Sequence, residues 1–265
     1  MLPPGFTPNV ISQDEVDSTS SVLRQLAGRG AGEGTVVTAL RQTQGRGSGG
    51  RQWFSPDGGL YLSVLLSSKV ERRATDLCLI AGVAVAQTVR NLLPKSKAVS
   101  LKWPNDCLVG WKKVGGILSE TLSGPQGGLC IVGIGINVNL TEKDLGAFKD
   151  RPFGATSFVM EAEGQGFDLP PIRDALLKKL FAIYDVYHDG GFQPVQYLWE
   201  RNCQFIGKRV QLEGSSVRPG ATQEGLSKPV IGTCLGIDDL GGLVLSNAQG
   251  ERRSYFSGEI TCYWP

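Results

Sequence analysis

Apolar and polar positions set the reading of this chain. Over 60–66, Leu60, Leu62, Val64 and Leu66 alternate with Tyr61, Ser63 and Leu65. A period of two is that of a strand, and apolar residues on both sides make it more buried than an edge. Shorter runs at 9–12, 35–40, 99–103, 107–109, 114–120 and 129–139 also read as strands, with 107–109 and 114–120 forming a hairpin through 110–113. The period becomes helical over 73–93, where Leu77, Ile80, Ala81, Ala84 and Val85 supply a broad apolar face that Pro94 ends. After Pro170 and Pro171, a stripe of Ile172, Leu176, Leu177, Leu180, Phe181, Ile183, Tyr184 and Tyr187 predicts a helix stopping near Gly190 and Gly191. Shorter helices are expected from Asp17 or Ser18, as caps, to Gly28, and over 194–202. Thr156-Ser157-Phe158 reads as a short helical or extended piece, and His188 as a helix-terminal or packed residue.

The pattern changes after Phe205. Strands are predicted at 208–212, 229–238, 243–247 and 251–256, with turns at Gly241-Gly242 and 247–250. The polar, glycine-bearing stretch 214–227 reads as an exposed loop. Helices are too few for strict βαβ alternation, so the fold class is α+β: a mixed β-sheet domain with packed helices over 1–206, and a small β-barrel-like domain over 207–265.

Composition narrows the classes. A chain of 265 residues, 41% hydrophobic and 20% charged, can bury a sizeable core. A net charge of +2 without long charge runs gives no nucleic-acid footprint. Six scattered cysteines without a Cys-x-x-Cys pair, and a single histidine, argue against structural zinc. There is no secretory signal pattern and no apolar run of membrane-spanning length, so a reducing cytoplasm is the expected location and no membrane partner is expected.

Three segments carry candidate chemistry. Residues 41–56 hold Gly45, Arg46, Gly47, Gly49, Gly50 and Arg51 between two predicted strands. Glycine-rich backbone can present N–H groups to an anion, and arginine adds a planar fork of charged donors. The alternative is a hairpin loop with solvent-facing charges. The second segment is Lys102-Trp103-Pro104-Asn105-Asp106, then Lys113 and Gly115-Gly116-Ile117-Leu118. The lysines can neutralise phosphate, and Asp106 can position Mg²⁺ or an amine. The third, Gly133-Ile134-Gly135-Ile136-Asn137, is either a glycine-thinned core strand or a nucleotide-orienting one.

In this order the segments resemble the biotin protein ligases, nearly end to end and including a small C-terminal SH3-like domain. Asp17-Ser18-Thr19 resembles the family's opening biotin motif, Gln42 to Trp53 its adenylate loop, and Lys102-Trp103-Pro104-Asn105-Asp106 its most specific signature. The resemblance implies that biotin's carboxylate attacks the α-phosphate of ATP, and that a lysine of a biotin carboxyl carrier protein then takes the acyl group from biotinyl-5′-AMP. It implies catalytic roles for Lys113, Arg46 and Asp106. Lys113 bridges carboxylate and α-phosphate, Arg46 touches both, and Asp106 orients the carrier lysine and helps its deprotonation. Arg51 and Lys102, with Mg²⁺, meet the ATP phosphates, while Asn137 lies near phosphates or ribose. Ser18, Thr19 and Gln42 contact the ureido end. Gly45 and Gly47 shape the loop, Asn105 belongs to the signature, Gly115 and Gly116 leave room, and Trp53 and Trp103 form apolar walls, with an ordinary core aromatic as the alternative for Trp103. Metal ligands stay unassigned.

Two departures stand out. Only sixteen residues precede Asp17, so no DNA-binding domain and no operator DNA partner are expected; a monomer and a homodimer both stay open. Ser48 stands where many relatives carry arginine. Alternatives are a lipoate or octanoate protein ligase or transferase, whose match to these motifs is poorer, and a biotin-binding sensor without ligase chemistry. Because Ser48 lacks the cationic fork, Ser48→Arg is expected to slow release of biotinyl-AMP, measured by stopped flow. Release from the wild type that is equally slow or slower contradicts this.

Overall fold

A computed structural model describes residues 7–67, 74–122, 128–148, 153–217 and 228–264. Its elements run β1 Asn9–Val16, α1 Thr19–Gly28, β2 Thr35–Gln42, β3 Leu60–Ser67, α2 Ala74–Leu92, β4 Val99–Lys102, β5 Asp106–Val109, β6 Lys112–Thr121 and β7 Leu129–Ile136. Helices α3 Glu142–Leu145, α4 Phe158–Glu161, α5 Leu169–Gly190 and α6 Gln193–Glu200 follow, then β8 Arg209–Ser216, β9 Val230–Ile237, β10 Leu243–Ser246, β11 Arg252–Tyr255 and β12 Ser257–Trp264.

The first seven strands form one sheet in the order β1-β2-β3-β7-β6-β5-β4. Only β1 and β2 run parallel, so the sheet is mixed. Strand β3 is central and covered on both faces. Leu60, Leu62, Val64 and Leu66 share one buried cluster with Leu77, Ile80 and Val85 of α2, while Leu65 clusters with Leu23 and Ala27 of α1. Each such leucine, isoleucine or valine contributes about 1.5–3 kcal/mol by leaving water. Helix α5 packs outside α2, using Leu176, Leu177 and Leu180 from the expected stripe.

Several boundaries differ from expectation. β1 reaches Val16 because it pairs with β2 as far as Gln42, and its polar side chains are tolerated at an edge. β7 stops at Ile136, where Asn137 N–H turns to Val114 O. Helix α3 was not anticipated, although Thr141 and Asp144 form its capping box. The start of the 73–93 helix at Arg73 lies outside the described residues.

The last five strands form an antiparallel sheet, β11-β10-β9-β8-β12, and among the described residues no pairing closes it into a barrel. Strand β12 was not anticipated either: it follows β11 with only Phe256 between, leaving no turn to mark it. It pairs with β8 and extends that strand to Ser216, so 214–216 is strand rather than loop. Residues 218–227 of that expected loop lie outside the described residues. One cluster of buried side chains joins the two sheets, running from Leu62 and Leu77 through Trp199 and Phe205 to Val210, Leu243 and Ile260. Trp103, 1% exposed, donates its indole N–H to Gly241 O at 3.1 Å.

A shared core should unfold as one. In urea, tryptophan fluorescence and far-UV circular dichroism are expected to report a single coincident transition. Trp103→Ala should destabilise it by about 3–5 kcal/mol. Separate transitions would show that the two sheets are independent.

Candidate active site

Register aligns one row of residues across the whole first sheet. Gln13, Ala39, Tyr61, Gly135, Gly116, Asp106 and Lys102 are successive cross-strand partners. The next row holds Ser63, Gly133 and Leu118. Helix α1 covers this face further along, over Leu65 and Ile131. Beyond its N-terminus the glycines leave the sheet bare, and a cavity of about 310 Å³ opens there.

A bulge aims the central lysine. Cys107 pairs with Gly115 but Leu108 with Lys113, so Val114 is an extra residue in β6. The inserted residue moves Lys113 to the face occupied by Gly116 and Asp106. A Cβ at Gly116 would lie 3.3 Å from Lys113 Nζ and 2.8 Å from the Trp53 ring. At Gly135 it would lie 2.5 Å from Trp53 Nε1. Those two glycines therefore let the Trp53 indole lie on the sheet.

Asp106 is 6% exposed and pairs with both lysines, at 3.0 Å from Lys102 Nζ and in close contact with Lys113 Nζ. Burial pushes its carboxyl upward, but the charges of Lys113 and Lys102 outweigh burial and pull it down to about 2. Lys102 is 2% exposed; Lys113 is 30% exposed and faces the cavity. The C-terminal sheet reaches the same place. Glu259 Oε1 of β12 lies 3.4 Å from Lys102 Nζ, and Ile260 O accepts from that ammonium at 3.3 Å. Glu259 Oε2 pairs closely with Arg51. Burial opposes ionisation of Glu259 too, but Lys102 and Arg51 hold it below the usual carboxylate range.

The glycine–arginine loop is folded over the opening. Gly47 N–H donates to Arg51 O at 2.7 Å, and Trp53 N–H to Gly45 O at 2.9 Å. Arg46 donates to Glu120 at 2.8 Å. Arg51 donates to Ser48 O at 3.0 Å and Ser48 Oγ at 2.8 Å, so Ser48 orients Arg51. At the opposite end, Thr19 N–H and Oγ1 both donate to Gln42 Oε1, at 2.8 and 3.1 Å. Ser18 takes the N-cap position of α1 without a side-chain capping bond and lines the cavity.

Thus Ser18, Thr19, Gln42, Arg46, Gly47, Arg51, Trp53, Lys102, Asn105, Asp106, Lys113, Gly116 and Asn137 share one cavity wall. Gly45 and Gly115 lie just behind it. A Cβ at Gly45 would fall 2.4 Å from Trp53 O, and one at Gly115 3.1 Å from Gly135 O. Trp103 takes the core-aromatic alternative in this structure: its buried ring bonds to Gly241 O and lies outside the wall. Asn105 ties its turn to β6, donating to Ile117 O at 2.8 Å, and Asn137 donates to Thr156 O at 2.9 Å. Glu259, Glu120, Ser20 and Phe153 escaped sequence reading. Ser20 directly follows a recognised motif; the others reach the site through long-range packing.

The profile of the Biotin/lipoate A/B protein ligase family matches residues 13–137. The chain is 33% identical to the Bifunctional ligase/repressor BirA of Bacillus spizizenii over 250 residues, 93% of this chain and 72% of that protein. It is 31% identical to the Biotin--[acetyl-CoA-carboxylase] ligase of Paracoccus denitrificans, covering 89% of this chain and 93% of that one. Among solved structures, the biotin protein ligase from Aquifex aeolicus in complex with biotin and ATP superposes with a TM-score of 0.77 at 30% identity, covering 97% of this chain and 99% of that one. The chain belongs to the biotin protein ligase family.

Asp106 links the site to acid stability. Its folded pKa lies below the ordinary 3.8, so its stabilisation is complete above about pH 4 and lost as pH falls toward about 2. The loss expected is about 2 kcal/mol. Urea midpoints compared across that range should fall less steeply for Asp106→Asn than for the wild type.

Proposed function

We propose that the chain uses this one cavity for both steps of ATP-dependent biotinylation of a carrier-protein lysine. The observation that carries the reading is the grouping of Lys113, Lys102, Arg46 and Arg51 around a cavity whose other end holds Ser18, Thr19 and Gln42. Family membership supports it.

The first step brings two anions together. At about 4 Å and an effective dielectric near 20, their repulsion is about 4 kcal/mol. Fixed cations offset it without reorganising. Biotin's carboxylate oxygen bonds to the α-phosphorus of ATP, and the bond to pyrophosphate breaks. Lys113 faces the cavity and bridges both reacting groups, with Arg46 closing over them. Lys102 and Arg51 receive charge on the departing pyrophosphate.

Mg²⁺ fits as an ion carried on phosphate oxygens, its usual mode. Among the described residues, no three metal-ligating side chains cluster. Asp106 and Glu259 are wall carboxylates able to meet it. Bound with ATP, it neutralises phosphate charge.

In the second step the carrier lysine's amine attacks the acyl carbon. An amide forms, and AMP leaves with its P–O bonds intact. The amine attacks as the neutral base and its surplus proton passes to solvent as the amide forms, while Asp106, held between two ammonium groups at the cavity wall, orients it. We assign the biotin carboxyl carrier protein of a carboxylase as the partner. The segment from about 207 onward is read as a small SH3-like domain, packed on the first sheet through the shared core, that supplies Glu259 to the nucleotide side. Six free cysteines support a reducing compartment.

Incubation with ATP, Mg²⁺, biotin and a carrier domain is expected to add one biotin to one lysine, read by mass spectrometry. Pyrophosphate–ATP exchange should proceed with biotin and not with lipoate or octanoate; exchange with lipoate alone would overturn the reading. Lys113→Ala should slow exchange by about a hundredfold or more while biotin still binds. Near-normal turnover would remove Lys113 from its central role.

A further inference from the structure

The end of the cavity beside the N-terminus of α1 carries a chain of hydrogen bonds whose protons have one consistent direction. Thr19 N–H donates to Gln42 Oε1, so that atom is an acceptor oxygen. The amide's other end, Nε2, donates to Ser55 Oγ at 2.8 Å, and Ser55 passes its own proton to Trp53 O at 3.0 Å. Thr19 Oγ1 gives its proton to Gln42 Oε1 at 3.1 Å. A hydroxyl has one proton. The 2.8 Å bond between Thr19 and Ser63 is therefore donated by Ser63, and the 2.9 Å bond between Ser63 and Ser20 by Ser20.

All four hydroxyl protons are spent inside the protein. Thr19 and Ser20 line the cavity and present lone pairs to it. Ser63 sits behind them, fully buried on β3, where its neighbours Leu62 and Val64 are apolar. A hydroxyl there costs free energy unless it is bonded, and it is bonded on both sides. Two glycines protect the chain. A Cβ at Gly133 would stand 3.0 Å from Ser20 Oγ, and one at Gly45 2.5 Å from Ser55 Oγ.

We propose that Ser63 is a positioning residue that sets substrate specificity. It holds Thr19 and Ser20 at this end of the cavity as acceptors, suited to a ring that brings N–H donors. The inference rests on the biotin reading above, in which the ureido ring supplies two such donors. An acid of similar length without N–H groups would leave Thr19 and Ser20 unsatisfied, which sites of this kind reject strongly. Without Ser63, the Ser20 proton is free to turn toward the cavity and meet a ligand N–H head-on.

The test is pyrophosphate–ATP exchange by the full chain. In Ser63→Ala, KM for biotin is expected to rise about tenfold, the size of one lost hydrogen bond. KM for ATP and kcat at saturating biotin should change less than about twofold, and preference for biotin over octanoate should fall about tenfold. Should the alanine variant fail to fold, Ser63→Cys keeps the volume with a weak donor and carries the same expectation. An unchanged biotin KM in the folded variant, or equal shifts for biotin and ATP, overturns the role of Ser63. Wild-type protein without biotin-dependent exchange would instead overturn the parent reading.

Discussion

One buried carboxylate governs the chemistry of this fold. Asp106 holds two ammonium groups that would otherwise repel each other, and one of them, Lys102, has almost no solvent. Removing water from a lysine is costly, and only a close counter-charge makes it tolerable. The three residues meet because a tight turn sets Lys102 opposite Asp106, and because the extra residue in β6 swings Lys113 to the same face. The C-terminal strand then completes the shell around Lys102 with Glu259 and a main-chain carbonyl. Sheet register, a bulge and a second sheet thus converge on one charge.

The place of the cavity follows from what is missing from the sheet. α1 covers only part of its face, and the strands next to its N-terminus carry Gly116, Gly133 and Gly135 where side chains would stand. A conventional apolar residue at any of these would fill the hollow. The indole of Trp53 uses two of the gaps, so the loop that bears Arg46 and Arg51 is anchored by shape as well as by hydrogen bonds. Binding geometry here is written in omitted side chains as much as in present ones.

That division also explains what the sequence disclosed. Helices α2 and α5 were legible because each buries a long periodic stripe, and β3 because its alternation is strong. The site motifs were legible because Lys102 to Asp106 and Gln42 to Trp53 are compact in sequence. β12 was not, since no turn residue separates it from β11, and Glu259 went with it. Its partner Lys102 lies 157 positions away, a distance over which local pattern is silent. Trp103 stayed open between wall and core for the opposite reason. It sits inside a motif, yet its ring serves the packing between the sheets while its neighbours Lys102 and Asn105 serve the cavity.

The pairing of cations has a consequence for the kind of anion that can compete for them. Arg46 rests on Glu120, Arg51 on Glu259, Lys113 on Asp106, and Lys102 on both Asp106 and Glu259. Each carboxylate is tethered, so its local concentration far exceeds that of a solute at ordinary levels. A stray inorganic phosphate must displace such a partner with few contacts in return. A nucleotide touching several cations at once can exchange them together. Four cations held by tethered carboxylates thus favour, on physical grounds, a ligand that replaces several partners at once over one that replaces a single partner.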